Sequence, residues 1–159
     1  MGKLHQYTLT VKWTGNRGKG TSSYRDYDRS HDIMMAGKPV IQGSSDPAFR
    51  GDASCHNPEE MLVATLSSCH MLWFLHLCAE AGVIVTDYVD EPQGTMEQTA
   101  DGGGQFTSVT LDPQVTVTTE DMANKLPELH RRANELCFIA RSVNFPVHHQ
   151  GSVKVVDRL

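Results

Sequence analysis

The stretch NPEEMLVATLSSCHMLWFLHLCAEAG, running from Asn57 to Gly82, decides how the rest of the chain must be arranged. It opens with the residues of a helix start. Asn57 can cap, Pro58 suits a first helical position whose N–H is not needed, and Glu59 and Glu60 face the positive end of the helix dipole. Gly82 supplies the stop, so the helix is expected to run to about Ala81. From Met61 to Ala79 there is no charged residue, and apolar side chains fall on every face. Such a helix is either a membrane span or the central helix of a core. Thr65, Ser67, Ser68, His70 and His76 interrupt it, and its flanks are acidic rather than basic, which argues against a membrane. One domain of 159 residues rarely encloses so long a helix. A second copy of the chain is therefore expected to cover the remaining face.

On the N-terminal side, Tyr7, Leu9, Val11 and Trp13 alternate with polar residues, predicting a half-buried strand from His5 to Trp13. Thr14 to Gly20 is turn chemistry, a second extended stretch follows from Thr21 to Met34, and Gly37 to Ala53 is read as an irregular loop. On the C-terminal side, strand-like runs occupy Ile84 to Val89, Phe106 to Leu111 and Val115 to Thr118, with Gly102-Gly103-Gly104 as a hairpin turn. Thr119-Glu120-Asp121 starts a helical region that Pro127 must break or restart. It resumes toward Cys137 and ends by Asn144 to Pro146. Val147 to Val156 is predicted to be a final strand. The length is one domain's worth of chain, read as a single domain over residues 1–159.

A net charge of −5, with no Lys/Arg block, excludes a general nucleic-acid binder. The segment from Met1 to Trp13 lacks the apolar core of a signal peptide. Four cysteines (Cys55, Cys69, Cys78 and Cys137) at irregular spacing, with no CxxC, do not form a secreted disulfide framework or a zinc motif. A cytoplasmic location is expected, where a disulfide would be transient and functional.

Cys78 follows Cys69 by nine residues, roughly 13 Å along a helix, beyond the reach of a disulfide. Cys55 and Cys137 remain as partners for Cys69, and Cys137 is the better candidate because it comes from another element. Histidines 56, 70, 76, 130, 148 and 149 form no compact ligand motif, so neither a metal nor a cofactor is expected. His148-His149 is read as surface. His70 diverges from Cys69 by about 100° on a helix, a poor position for the base of a Cys–His hydrolase.

Asn57-Pro58-Glu59-Glu60-Met61-Leu62 followed by Ser67-Ser68-Cys69 resembles the NPE segment and reactive cysteine of the OsmC/Ohr (osmotically inducible and organic hydroperoxide resistance) family. Glu135-Leu136-Cys137 is similar to the segment with that family's second cysteine, and Thr14-Gly15-Asn16-Arg17 to the turn carrying its active-site arginine. The resemblance implies an α+β, OsmC-like fold: long central helices wrapped by antiparallel sheets in an intertwined homodimer. It also implies thiol-dependent reduction of organic hydroperoxides. Cys69 would attack the peroxide, Cys137 would resolve the product to a disulfide, and a dithiol reductant, lipoyl-type or other, would reset the enzyme. Arg17 would lower the Cys69 pKa and bind the peroxide, with Glu59 orienting the guanidinium. Glu59 lies about 15 Å from Cys69 on an ideal helix, so their direct contact would need a bend or a site shared by two chains. The chain departs from the better-known branches in having Phe138, not proline, after Cys137, and a longer Tyr24 to Gly51 insertion. The alternatives are a non-catalytic small-molecule-binding protein of this fold and a Cys-dependent hydrolase.

Overall fold

A computed structural model of the chain describes residues 2–156. The chain divides into two compact units, Met1–Met61 and Leu62–Leu159.

The first unit is a three-stranded antiparallel sheet of β1 (Thr10–Trp13), β2 (His31–Met34) and β3 (Ile41–Gly43), in that order. The first strand is shorter than its alternation predicts: Leu4 and Tyr7 are fully exposed, and residues 5–9 pair with no strand. The stretch expected to be extended from Thr21 is mostly turn, and only its last four residues join the sheet. Trp13 fixes this turn by donating from Nε1 to the Asp28 carbonyl (2.8 Å) and meeting Tyr27 edge-on. The loop expected at Gly37 to Ala53 carries β3 and a 3-10 turn, Pro47–Phe49, capped by the Asp46 carboxylate.

The long helix α1 (Pro58–Glu80) has the bounds its caps predict. The Asn57 side chain accepts from Glu60 N (2.8 Å) while Glu60 reaches back to Asn57 N (3.4 Å), a capping box. At the other end Gly82 takes φ 67°, Val83 N donates to Cys78 O (2.8 Å) and Gly82 N to Ala79 O (3.3 Å). That is a Schellman motif, which needs a residue at ease with positive φ.

Two three-stranded sheets complete the second unit. One has the order β4 (Val85–Asp90), β7 (Pro113–Val117), β9 (Ser152–Val155). The other has the order β5 (Gln93–Gln98), β6 (Gly104–Leu111), β8 (Val147–His149). Pairings β4–β7 and β5–β6 are antiparallel, but β6–β8 and β7–β9 are parallel, so these sheets are mixed rather than purely antiparallel. The expected final strand is two. After His149 the chain crosses from one sheet to the other at Gln150-Gly151, where a Cβ on Gly151 would lie 2.5 Å from the Pro113 carbonyl oxygen. The hairpin across the glycine triplet forms as expected.

The helical region breaks as Pro127 requires, into α2 (Glu120–Ala123), capped by Thr119, and α3 (Leu126–Leu136). Helix α3 ends sooner than expected, with Cys137 already extended at φ −63°, ψ 114°.

Helix α1 turns Leu66, His70, Phe74 and Cys78 into the unit's interior, a stripe at every fourth residue. Phe74 and Cys78 pack with Val83, Val115, Val117, Ala123, Leu126 and Ala133. Leu66 packs with Val109 and Leu111. The other side of α1 stays open, and Leu72 is 63% exposed. The helix is long and apolar enough to pass as a membrane span by length and composition alone. The buried stripe and its polar neighbours are those of a core helix.

Candidate functional site

Cys69 sits midway along α1 and is half-buried, whereas Cys137 is sealed at the end of α3. The two thiols are neighbours, close enough for Cys69 to perturb the titration of Cys137, and both are free. Burial, chiefly, and then the neighbouring Cys69 thiol push the Cys137 thiol up to about 11. The backbone N–H groups of Ala140 and Ile139 act in the opposite sense. Ala140 N donates to Cys137 Sγ at 3.4 Å, so the sulfur takes the place of a capping side chain for the 3-10 turn Ala140–Ser142. Cys137 is therefore a protonated thiol at neutral pH, and the more accessible Cys69 is the one a solute can approach. Cys78 is buried within the apolar core, where desolvation raises its thiol to about 11. It has the environment of an inert cysteine. Cys55 is a partly exposed loop thiol of the first unit.

Arg17 and Glu59 belong to the first unit. The Arg17 guanidinium donates to the Arg25 carbonyl and lies 3.6 Å from the Asp28 carboxylate, both within its own turn. Asn16 shapes that turn by accepting from Gly18 N (2.9 Å) and Gly20 N (3.0 Å). Glu59, in the first turn of α1, has its Oε2 buried with no hydrogen-bond partner. No ion pair joins Glu59 to Arg17 among the described residues. Of the four residues singled out in the sequence, the two cysteines are brought together within the second unit, whereas within the first unit Arg17 is held in its own turn and Glu59 is not paired with it among the described residues.

The sequence did not point to a second constellation beside the thiols. His70, next to Cys69 on α1, faces inward, and its Nε2 meets His130 Nδ1 of α3 at 2.9 Å. The two rings lie edge to edge in nearly one plane with centroids 5.3 Å apart, Phe74 stacks on His130 at 3.9 Å, and His149 of β8 packs beside both. Desolvation, reinforced by neighbouring imidazoles, lowers His70 to about 4 and His130 to about 3. His149, read as surface from its sequence, is half-buried in this cluster, while His148 is exposed. The spacing of His70 from Leu66 and Phe74 was the available signal that it faces the core. Nothing in the local sequence signals that His130, sixty residues on, meets it. Among the described residues no group of three His, Cys, Asp or Glu side chains is arranged to hold a metal ion. With His70 committed to His130, Cys69 also lacks the adjacent base that a Cys–His hydrolase needs.

The OsmC family, described as OsmC-like protein, matches residues 51–150. Comparison with curated protein sequences gives no match. Among solved structures, an OsmC-like protein of unknown function from Vibrio cholerae is 31% identical, with a TM-score of 0.81 over 93% of this chain and 99% of that one. The organic hydroperoxide resistance protein OhrB of Bacillus subtilis is 22% identical, with a TM-score of 0.60 over 93% of this chain and 98% of that one. An organic hydroperoxide resistance protein OsmC from Legionella pneumophila is 18% identical, with a TM-score of 0.67 over 96% of this chain and 100% of that one. These last two likenesses concern the fold. Together with the family match over residues 51–150, the arrangement of α1 and its sheets establishes that the chain belongs to the OsmC-like family.

Proposed function

We propose that this protein is a thiol-dependent peroxidase that reduces organic hydroperoxides, with Cys69 as nucleophile and Cys137 as resolving thiol. The observation that carries this reading is the contact between an accessible thiol on α1 and a sealed thiol at the end of α3. The Cys69 thiolate attacks the distal peroxide oxygen, the O–O bond breaks, and the alkoxide leaves as an alcohol after taking up a proton. Cys69 is then a sulfenic acid. The Cys137 sulfur attacks the Cys69 sulfur, hydroxide leaves as water with the Cys137 proton, and a disulfide forms. A dithiol reductant returns both thiols and becomes the disulfide itself. This cycle suits a reducing cytoplasm.

A thiol in apolar surroundings reacts only when a cation favours its thiolate, and Arg17 is assigned that role. The buried, unpartnered Oε2 of Glu59 supports an arrangement in which a guanidinium reaches it from a second chain. The open face of α1 supports the same homodimer, in which the two compact units would act as one OsmC-like domain.

The test is loss of cumene hydroperoxide with dihydrolipoamide supplied, for the wild type, Cys69→Ser and Arg17→Ala. Turnover is expected in the wild type alone. Full activity in Arg17→Ala would sink the thiolate mechanism. A wild type inactive with every dithiol tried would favour a binding protein of the same fold.

A further inference from the structure

The histidine cluster lies beside a cavity of about 310 Å³ in the second unit. Leu126 and Pro127 from the start of α3 and Val153 from β9 form apolar wall, while His130, His149 and Ser152 supply polar atoms. Among the described residues no Lys, Arg, Asp or Glu lines it, and neither Cys69 nor Cys137 does.

The hydrogen-bond inventory of the two buried imidazoles fixes what this cavity offers. In the 2.9 Å bond between His70 Nε2 and His130 Nδ1, one nitrogen must donate and the other accept. His70 Nδ1 is buried and has no partner. A proton placed there would be a sealed N–H with no acceptor, which folded proteins almost never tolerate, whereas a bare acceptor is the smaller loss. His70 therefore carries its proton on Nε2 and donates to His130. His130, neutral in its turn, carries its proton on Nε2. That nitrogen has no protein partner among the described residues and is not among the sealed atoms, although the residue is 8% exposed. It is an N–H donor left on the cavity side of a ring that is otherwise enclosed.

We infer that the cavity between α3 and β9 binds a small neutral carbonyl compound, whose oxygen accepts from His130 Nε2–H and whose apolar body lies against Leu126, Pro127 and Val153. A carboxylate is disfavoured because, among the described residues, no cation lines the cavity to compensate a desolvated charge. A plain hydrocarbon would leave the N–H without an acceptor, the loss that makes such sites selective. The site is independent of the thiol chemistry proposed above, since it shares no lining residue with it.

The experiment is an NMR titration of the intact protein, following the His130 ring nitrogens, with 2-hexanone, hexanoate and hexane as probes. The expected result is a saturable shift of His130 Nε2 with 2-hexanone, and at least tenfold weaker binding of the other two. Val153→Trp on β9 and Leu126→Trp at the start of α3 should each fill the cavity and abolish the shift. Two variants are used so that one that fails to fold leaves the other to decide. The inference is overturned by absence of any saturable His130 response in the wild type, by hexanoate or hexane binding as tightly as 2-hexanone, or by undiminished binding in a folded cavity-filled variant.

Discussion

Helices α1 and α3 meet through two pairs of like residues, Cys69 with Cys137 and His70 with His130. Cys69 and His70 are neighbours in sequence, yet a helix turns them about 100° apart, so one stays within reach of solvent and the other enters the core. The thiol pair couples one accessible group to one sealed group. The histidine pair is enclosed except at the cavity edge of His130, and it is held neutral. Burial makes the difference: under the proposed function the thiol pair changes covalent state, whereas the histidine pair keeps one state over the ordinary pH range.

The widest separation between the pairs is expected from Cys69→Ser. It should reduce peroxide turnover at least about a thousandfold, as loss of a nucleophile does, with little change in thermal stability. His70→Ala should act on the other side of the comparison. It removes a fully buried ring packed on Phe74 and leaves His130 Nδ1 without its donor, for a loss on the order of 3 kcal/mol in urea unfolding. Equal activity losses in these two variants would erase the distinction.

Acid should reach the histidine pair first. His70 and His130 titrate near 4 and 3 when folded, below the ordinary 6.5, so between these values the unfolded chain binds protons that the folded one refuses. Stability is therefore level above pH 6.5 and falls as pH drops, by about 1.4 kcal/mol per pH unit for each imidazole. Denaturation midpoints measured from pH 7 to pH 4 check this, and His70→Leu should flatten the slope. Cys137→Ser should be milder in stability, below about 1 kcal/mol, because a hydroxyl can still cap Ala140 N. It should nevertheless halt the cycle at a Cys69 sulfenic acid that dimedone traps. His148→Ala, on the exposed neighbour of His149, should change stability by less than about 0.5 kcal/mol and serves as the baseline.

The parts of this molecule legible in its sequence are those whose causes are local. Asn57, Pro58 and Gly82 fix both ends of α1 through contacts within a few residues, and Pro127 stands in the first turn of α3, just after the break in the helical region. Strand β5 was not foreseen because all of Gln93–Gln98 is exposed, leaving no alternation to read. The single strand expected at Val147 to Val156 is two because Gln150-Gly151 passes between sheets, a constraint set by Pro113 rather than by its neighbours in sequence. Cys69 and Cys137 stood out through the motifs around them. His130 and His149 did not, since meeting across sixty and seventy-nine residues is a property of the folded chain.

Finally, Cys137 lies directly before Phe138, whose ring meets Trp73 edge-on at 5.6 Å. A bond between the two sulfurs would redirect Cys137 Sγ away from Ala140 N and disturb the turn that presents Phe138. The indole of Trp73 then acts as a built-in optical gauge of the redox state. Trp13, the other indole, is tied to Asp28 in the first unit and provides a constant background. Emission intensity could thus follow each catalytic cycle in real time, with no label attached.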